Sequence, residues 1–383
     1  MTISLLRLPF LVQRQIFEEI DLLAVLSITM LSKKSHAAAR ACLRHPHYHL
    51  RYVEDQSIRL ERKFEKEDGH TLVLVLIGQT PPPFPFELWR IGNQEIAIES
   101  TSNESRGTIS TITHVYSDNI LDFATETLQY LSRLLPKLSL TMKLKARSVD
   151  TFRRTMKSVE SASEIKEINV EEHAWNRDPV SQNEFVKLVL DECQQAKKLC
   201  IIIQTPDNFE YPTSVQFKFD SISMVSAEWV SRDHFIKLFL SCKKVQLYSK
   251  NFNDEDLAAI FKAWTEGSSL EYLEFVGLGT FYRGKTLNSS LEVLPGAAPV
   301  KNALIQTEVF TRSHVETFGE GKCYLIQQND KQKTALVCIN YKSVILTTDF
   351  KIGKEVDEMA ARIEEEERLR RNPIDENLEV EED

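Results

Sequence analysis

Residues 22–31 constrain this chain more than any other stretch. Leu22, Leu23, Val25, Leu26, Ile28, Met30 and Leu31 put apolar side chains on nearly every side of the helix they predict. Asp21 can cap that helix by accepting a hydrogen bond from an amide of its first turn. An earlier helix opens at Pro9, whose fixed φ suits a first turn. It sets Val12, Ile16 and Ile20 at four-residue steps on one face, with Phe17 beside them. Ser32 can start a third helix through Ala37, Ala38, Ala39 and Ala41 that stops near Pro46. Three short helices in about 45 residues are too small a unit to cover a helix that is apolar all round. Part of that surface must be buried by the rest of the chain or by another protein.

The pattern resembles the F-box, the helical module that joins a protein to the Skp adaptor of a cullin-type ubiquitin ligase. The resemblance rests on Leu8-Pro9, Ile16, Ile20-Asp21, the run from Leu22 to Leu31, and Leu31-Ser32-Lys33. It implies adaptor contact through Leu8, Pro9, Ile16, Leu22, Leu23, Leu26 and Ile28. The plainer alternative is an N-terminal helical hairpin packed on its own core.

At 383 residues the chain is long enough for two or three domains with sizeable cores. From residue 51 to 116 the apolar period moves toward two. Residues 57–64 and 71–77 flank an Asp68-Gly69 turn signal and predict a β-hairpin. Pro81, Pro82, Pro83 and Pro85 predict an extended surface connection, and residues 100–110 read as a polar, turn-rich link.

From residue 118 helices alternate with short strands. Helices are predicted over 119–135 (capped by Asp118 and stopped by Pro136), 151–159, 181–193, 231–242 and 254–264. Strands follow them at 138–144, 165–170, 199–203, 245–248 and 270–275. Two of these pairs match residue for residue. Phe185-Val186-Lys187-Leu188-Val189-Leu190 aligns with Phe235-Ile236-Lys237-Leu238-Phe239-Leu240, and a Lys-Lys pair and an apolar strand follow each. Such self-similarity predicts a stack of helix–strand units, an irregular solenoid akin to leucine-rich repeats with parallel strands on one side.

Residues 229–275, with HFIKLFLSCKKVQLYSKNFNDEDLAAIFKAW and GSSLEYLEF, resemble the F-box-associated domain found beside F-boxes in a large nematode family. GKCYLIQQNDKQKTALVCIN resembles that domain's closing hairpin, with Asn329-Asp330-Lys331 as its turn in place of the family's usual Asp-Gly. The expected fold class is therefore α+β: a three-helix module at 1–48, a β-rich connecting region at 49–117, a helix–strand repeat domain at 118–350, and an acidic helix and tail at 351–383. Residues 355–371 predict that last helix, with glutamates facing arginines at favourable spacing, ended by Asn372-Pro373.

The net charge of −9 offers no basic footprint for nucleic acid. Six scattered cysteines without a CxxC pair fit reduced, buried thiols rather than a disulfide framework. No apolar stretch reaches the length of a membrane span. The chain is expected to be soluble and intracellular, cytoplasmic or nuclear. Gly279 to Thr286 satisfies the phosphate-loop pattern GxxxxGK[ST], but residues 287–294 leave little room for the supporting helix before Pro295-Gly296. No further alternating β–α units follow, so a turn is the better reading. His45, His47 and His49 lie close in sequence without an evident fourth ligand. No catalytic set, metal or cofactor is expected.

Target contact is assigned to aromatic residues in the connecting loops: Trp175, Phe209, Tyr211, Phe281 and Tyr282. The resemblance implies a substrate-recognition subunit of an SCF ligase, partnered by a Skp-type adaptor, a cullin through it, and a protein substrate.

Overall fold

The computed structural model describes residues 5–63, 70–78, 86–91, 94–105, 108–172, 179–205, 209–250, 252–277, 289–309, 312–318, 323–339 and 343–371. The chain is mixed α/β and divides into two compact units, Met1–Pro206 and Asp207–Asp383, a boundary inside the segment read from sequence as one repeat domain.

The first unit opens with a 3-10 turn at Leu5–Arg7 and three helices: α1 (Phe10–Glu19), α2 (Leu22–Met30) and α3 (Lys33–Cys42). The Ala24 amide donates to Asp21 Oδ1 at 2.9 Å and the Ser35 amide to Ser32 Oγ at 3.0 Å. Both bonds satisfy first-turn amides that have no partner within the helix. Asp21→Ala is expected to lower the unfolding free energy by about 1 kcal/mol. A urea midpoint that moves down at constant slope would show it, and an unmoved midpoint would mean the cap adds nothing.

Next come β1 (His47–Val53), β2 (Ser57–Lys63) and β3 (His70–Ile77), antiparallel in that order, so the expected hairpin is present. β4 (Glu87–Ile91), β5 (Gln94–Ser105) and β6 (Thr108–Tyr116) follow. The stretch read as a polar link is thus largely strand, a correction with a clear cause. Ser100 Oγ meets Thr113 Oγ1 at 2.9 Å and Ser102 Oγ meets Thr111 Oγ1 at 3.0 Å, so its polar residues pair as hydroxyl rungs across β5 and β6.

The rest of the unit is α4 (Ile120–Leu134), β7 (Leu138–Ala146), α5 (Val149–Ser158), β8 (Glu164–Glu172), α6 (Pro179–Glu192) and β9 (Ala196–Ile202). The cap of α4 is Asn119 rather than Asp118, its Oδ1 accepting from the Asp122 amide at 3.1 Å. Strand order in this unit is β4-β5-β6-β3-β2-β1-β7-β8-β9, with β1, β7, β8 and β9 parallel. Register sets Leu72, Leu60, Leu50, Leu140 and Ile165 side by side across five strands, each buried. This apolar row is the spine of the core.

The second unit runs β10 (Ser221–Met224), α7 (Arg232–Leu238), β11 (Lys244–Tyr248), α8 (Asp254–Thr265) and β12 (Tyr272–Val276). β10, β11 and β12 are parallel. α7 is shorter than predicted because the Phe217 amide takes the Leu238 carbonyl at 2.9 Å, while the Cys242 amide turns to Phe239 O. Strands β13 (Ala298–Val300), β14 (Ala303–Val309), β15 (Arg312–Phe318), β16 (Cys323–Gln327), β17 (Thr334–Ile339), β18 (Ser343–Thr347) and β19 (Phe350–Ile352) follow, and then α9 (Lys354–Arg371).

The order is β10-β11-β12-β18-β17-β16-β13, with β13 pairing Pro299 opposite Tyr324. A second sheet, β15-β14-β19, contributes Ala303 and Ile305 to a core shared with Tyr272, Leu336 and Ile345. The closing hairpin matches expectation: Lys331 adopts φ 59 and its amide donates to Gln328 O at 2.8 Å. Helix–strand alternation is therefore present in each unit. Antiparallel strands flank the parallel ones, giving mixed sheets rather than a uniform run of repeats.

Candidate interaction surfaces

A buried cation ties the N-terminal helices to the first unit. Alternation on β2 turns Ile58, Leu60 and Arg62 inward, and Arg62 is 1% exposed. Its Nη1 donates to Phe17 O and its Nη2 to Ile20 O, both at 2.8 Å. These carbonyls sit at the C-terminal end of α1, where helical acceptors lack partners and the dipole is negative, so the guanidinium supplies hydrogens and opposite charge together. Burial lowers the Arg62 pKa from its very high ordinary value. Tyr48, opposite Arg62 in the β1–β2 register, has its phenol pushed up to about 12, chiefly by burial. A second tie joins α2 and α4: the Tyr130 hydroxyl donates to Thr29 Oγ1 at 2.6 Å, and the His36 ring meets Tyr130 edge-on at 5.3 Å.

This packing sorts the residues assigned to adaptor contact. Leu22 and Leu26 are 3% and 2% exposed, so the chain itself covers them. That corrects the sequence reading: an apolar helix does not reveal which side its own fold takes. Leu8, Ile16, Leu23 and Ile28 are half-buried and Pro9 is exposed. The largest uncovered apolar groups here are others: Phe10, Leu11 and Val12 in the first turn of α1, and Leu31 just after α2. Leu11 and Leu31 reach 73% and 78% exposure. The available signal was that Phe10, Leu11 and Val12 are consecutive, so they spread round a helix turn and cannot all face one core. A shallow groove of about 380 Å³ opens beside α2, lined by Met30, His36, Ile91 and Tyr130 among others.

In the second unit the strand face that carries Gln246 and Glu274 is polar. The buried Glu274 carboxylate accepts from Gln246 Nε2 and from the Tyr272 hydroxyl, each at 3.0 Å through Oε2. Beside it lies a cavity of about 230 Å³ lined by Ser221, Lys244, Gln246, Glu271, Thr347 and Asp349, together with Tyr272 and Thr348. The loop aromatics assigned to target contact are not at this surface. Phe209 and Tyr211 are 5% and 3% exposed and pack on Trp229, with ring centroids 5.0 and 6.2 Å apart. They are core residues: Phe209 meets Trp229 edge-to-face and Tyr211 packs on it at a tilt, and such ring contacts reward burial. Trp175, Phe281, Tyr282 and the Gly279–Thr286 pattern lie outside the described residues, as do Pro81 to Pro85.

Burial raises the thiols of Cys42, Cys193 and Cys242, the last to about 12, and keeps them protonated. Lys250 has its ammonium depressed chiefly by burial, but it donates to Glu228 O at 3.0 Å and lies 4.7 Å from the Phe252 ring centre, which occupies it structurally. His49 Nδ1 lies 3.1 Å from Ser139 Oγ. Among the described residues no three His, Cys, Asp or Glu side chains are grouped to hold a metal, and no helix is long and apolar enough to cross a membrane. Comparison with known proteins finds no matching family model and no matching curated protein.

Proposed function

We propose that this chain is a protein-interaction subunit whose N-terminal helices dock a Skp-type adaptor and whose second unit holds a target for ubiquitination. The observation that carries the reading is the uncovered apolar group Phe10, Leu11, Val12 and Leu31, set on helices that are otherwise fixed to the first unit. Side chains of this kind beside rigid backbone are the usual anchors of a helical interface. Leu8, Pro9, Ile16, Leu23 and Ile28 remain available as partial contacts.

On this reading the mechanism is proximity. Holding a target near a ubiquitin-charged enzyme raises effective concentration, and no bond chemistry is required of this chain. The target would meet the polar strand face and cavity at Lys244, Gln246 and Glu271, in place of Phe209 and Tyr211. The finer architectural reading, an irregular leucine-rich-repeat-like solenoid, draws support from the parallel helix–strand runs β7–β9 and β10–β12, each taken within its own unit. A cytoplasmic or nuclear site of action goes with the same reading.

Leu11→Ser/Leu31→Ser is expected to leave folding within about 0.5 kcal/mol of the parent. The same pair should weaken binding to a purified Skp-type adaptor at least tenfold in a titration. Undiminished affinity in the double variant, or no binding by the parent, rejects adaptor docking. Intact docking without ubiquitination of any co-captured protein would favour a non-ligase scaffold.

A further inference from the structure

We propose that Cys323 and Cys338 are a thiol pair built to close reversibly into a cross-strand disulfide. The two residues are direct partners in the β16–β17 register, and the Cys323 thiol lies 3.1 Å from Cys338 Sγ. Directly opposed residues on antiparallel strands have Cα atoms about 4.5 or 5.5 Å apart, and both spacings lie within the span a disulfide bridges. Closing the bond moves the sulfurs together by about 1 Å, to about 2.05 Å. The neighbourhood is apolar, with Val300, Ile305, Leu336 and Ile345 in the same buried cluster.

Both cysteines are fully buried, and reaction requires local opening. The strand beside Cys323 is β13, three residues long and last in the sheet order, so little backbone pairing closes that side, and the Val300 and Ile305 packing must part with it to expose the sulfur.

The oxidant is a small-molecule disulfide of the glutathione class. One protein thiol loses its proton and attacks a sulfur of that disulfide, forming a mixed disulfide and expelling a thiolate, which takes up the proton. The second protein thiol, deprotonated in turn, attacks the mixed disulfide and expels the second small thiol. Two protein thiols are oxidised by two electrons and one small disulfide is reduced to two thiols. The product links strands 15 residues apart in sequence and braces the hairpin against opening.

The test uses the full chain across a ladder of oxidised to reduced glutathione. Residual thiols are capped with iodoacetamide in denaturant and the unreduced digest is read by mass spectrometry. A Cys323–Cys338 linked peptide, about 2 Da lighter than the dithiol form, is expected while Cys42, Cys193 and Cys242 remain capped, and it should vanish on adding dithiothreitol. Persistence of both as capped thiols at the most oxidising ratio, or linkage of either to another cysteine, overturns the proposal. On the same ladder the thermal midpoint is expected to rise by about 4 °C or more in the parent and not in Cys323→Ala. An equal rise in that variant overturns it as well.

Discussion

Arg62→Ala is expected to destabilise the first unit by about 3–5 kcal/mol, an effect far above that of an ordinary polar substitution. The side chain is 1% exposed, and both of its terminal nitrogens are committed to the Phe17 and Ile20 carbonyls. Hydrogen bonds from a charged donor contribute about 1.5–3 kcal/mol each, and a buried acceptor left without a partner carries a similar penalty. Truncation also opens a void where β2 meets α1. Arg62→Lys keeps the charge but presents one nitrogen where two carbonyls need donors, so it should fall between the parent and alanine. Urea unfolding measures the loss, and faster amide exchange in α1 locates it. A loss below about 1 kcal/mol for alanine would show that this arginine does not hold the helix.

The second large effect is expected at Trp264, in the other unit. Its side chain is fully buried on α8, and the indole Nε1 donates to Leu270 O at 3.0 Å, joining the helix to the approach of β12. The Trp264 carbonyl also accepts from Gln328 Nε2 at 3.3 Å, so the same residue ties the turn of the closing hairpin to α8. Removing so large a side chain from a packed interior costs about 3–5 kcal/mol. Trp264→Phe refills most of the space but leaves the Leu270 carbonyl unpaired, for a smaller loss of about 1–3 kcal/mol. Comparing the two separates packing from hydrogen bonding. Equal losses for Phe and Ala would mean that the indole N–H dominates, and a negligible loss for Ala would contradict the packing described.

Sequence carried the parts of this fold whose causes are local. Asp21 and Ser32 were legible as caps because a short acceptor side chain before an apolar helix meets the amides of its own first turn. The alternation from α4 to β9 and from α7 to β12 was legible because each element carries its own period. β1 was hidden because His47, His49 and Arg51 interrupt a strand whose other residues, Tyr48, Leu50 and Tyr52, are buried. β10 is only four residues long and alternates serine with Ile222 and Met224, too short to register as a period.

The candidate surface was the least legible part, since exposure is decided by distant partners. Nothing near Leu22 or Leu26 in sequence says that they face inward. Arg62 was visible in principle as an arginine in phase with inward-facing Ile58 and Leu60, yet its acceptors lie more than 40 residues earlier. Phe209 and Tyr211 went the other way, because aromatic loop residues read as exposed until Trp229 is placed against them.

Pro299 stands in the middle of β13, at the margin of the larger sheet of the second unit. A prolyl nitrogen has no hydrogen to offer, and three residues give little length on which a stray strand could register. That rim is therefore a poor template for fibril growth, which matters for a polypeptide rich in extended segments.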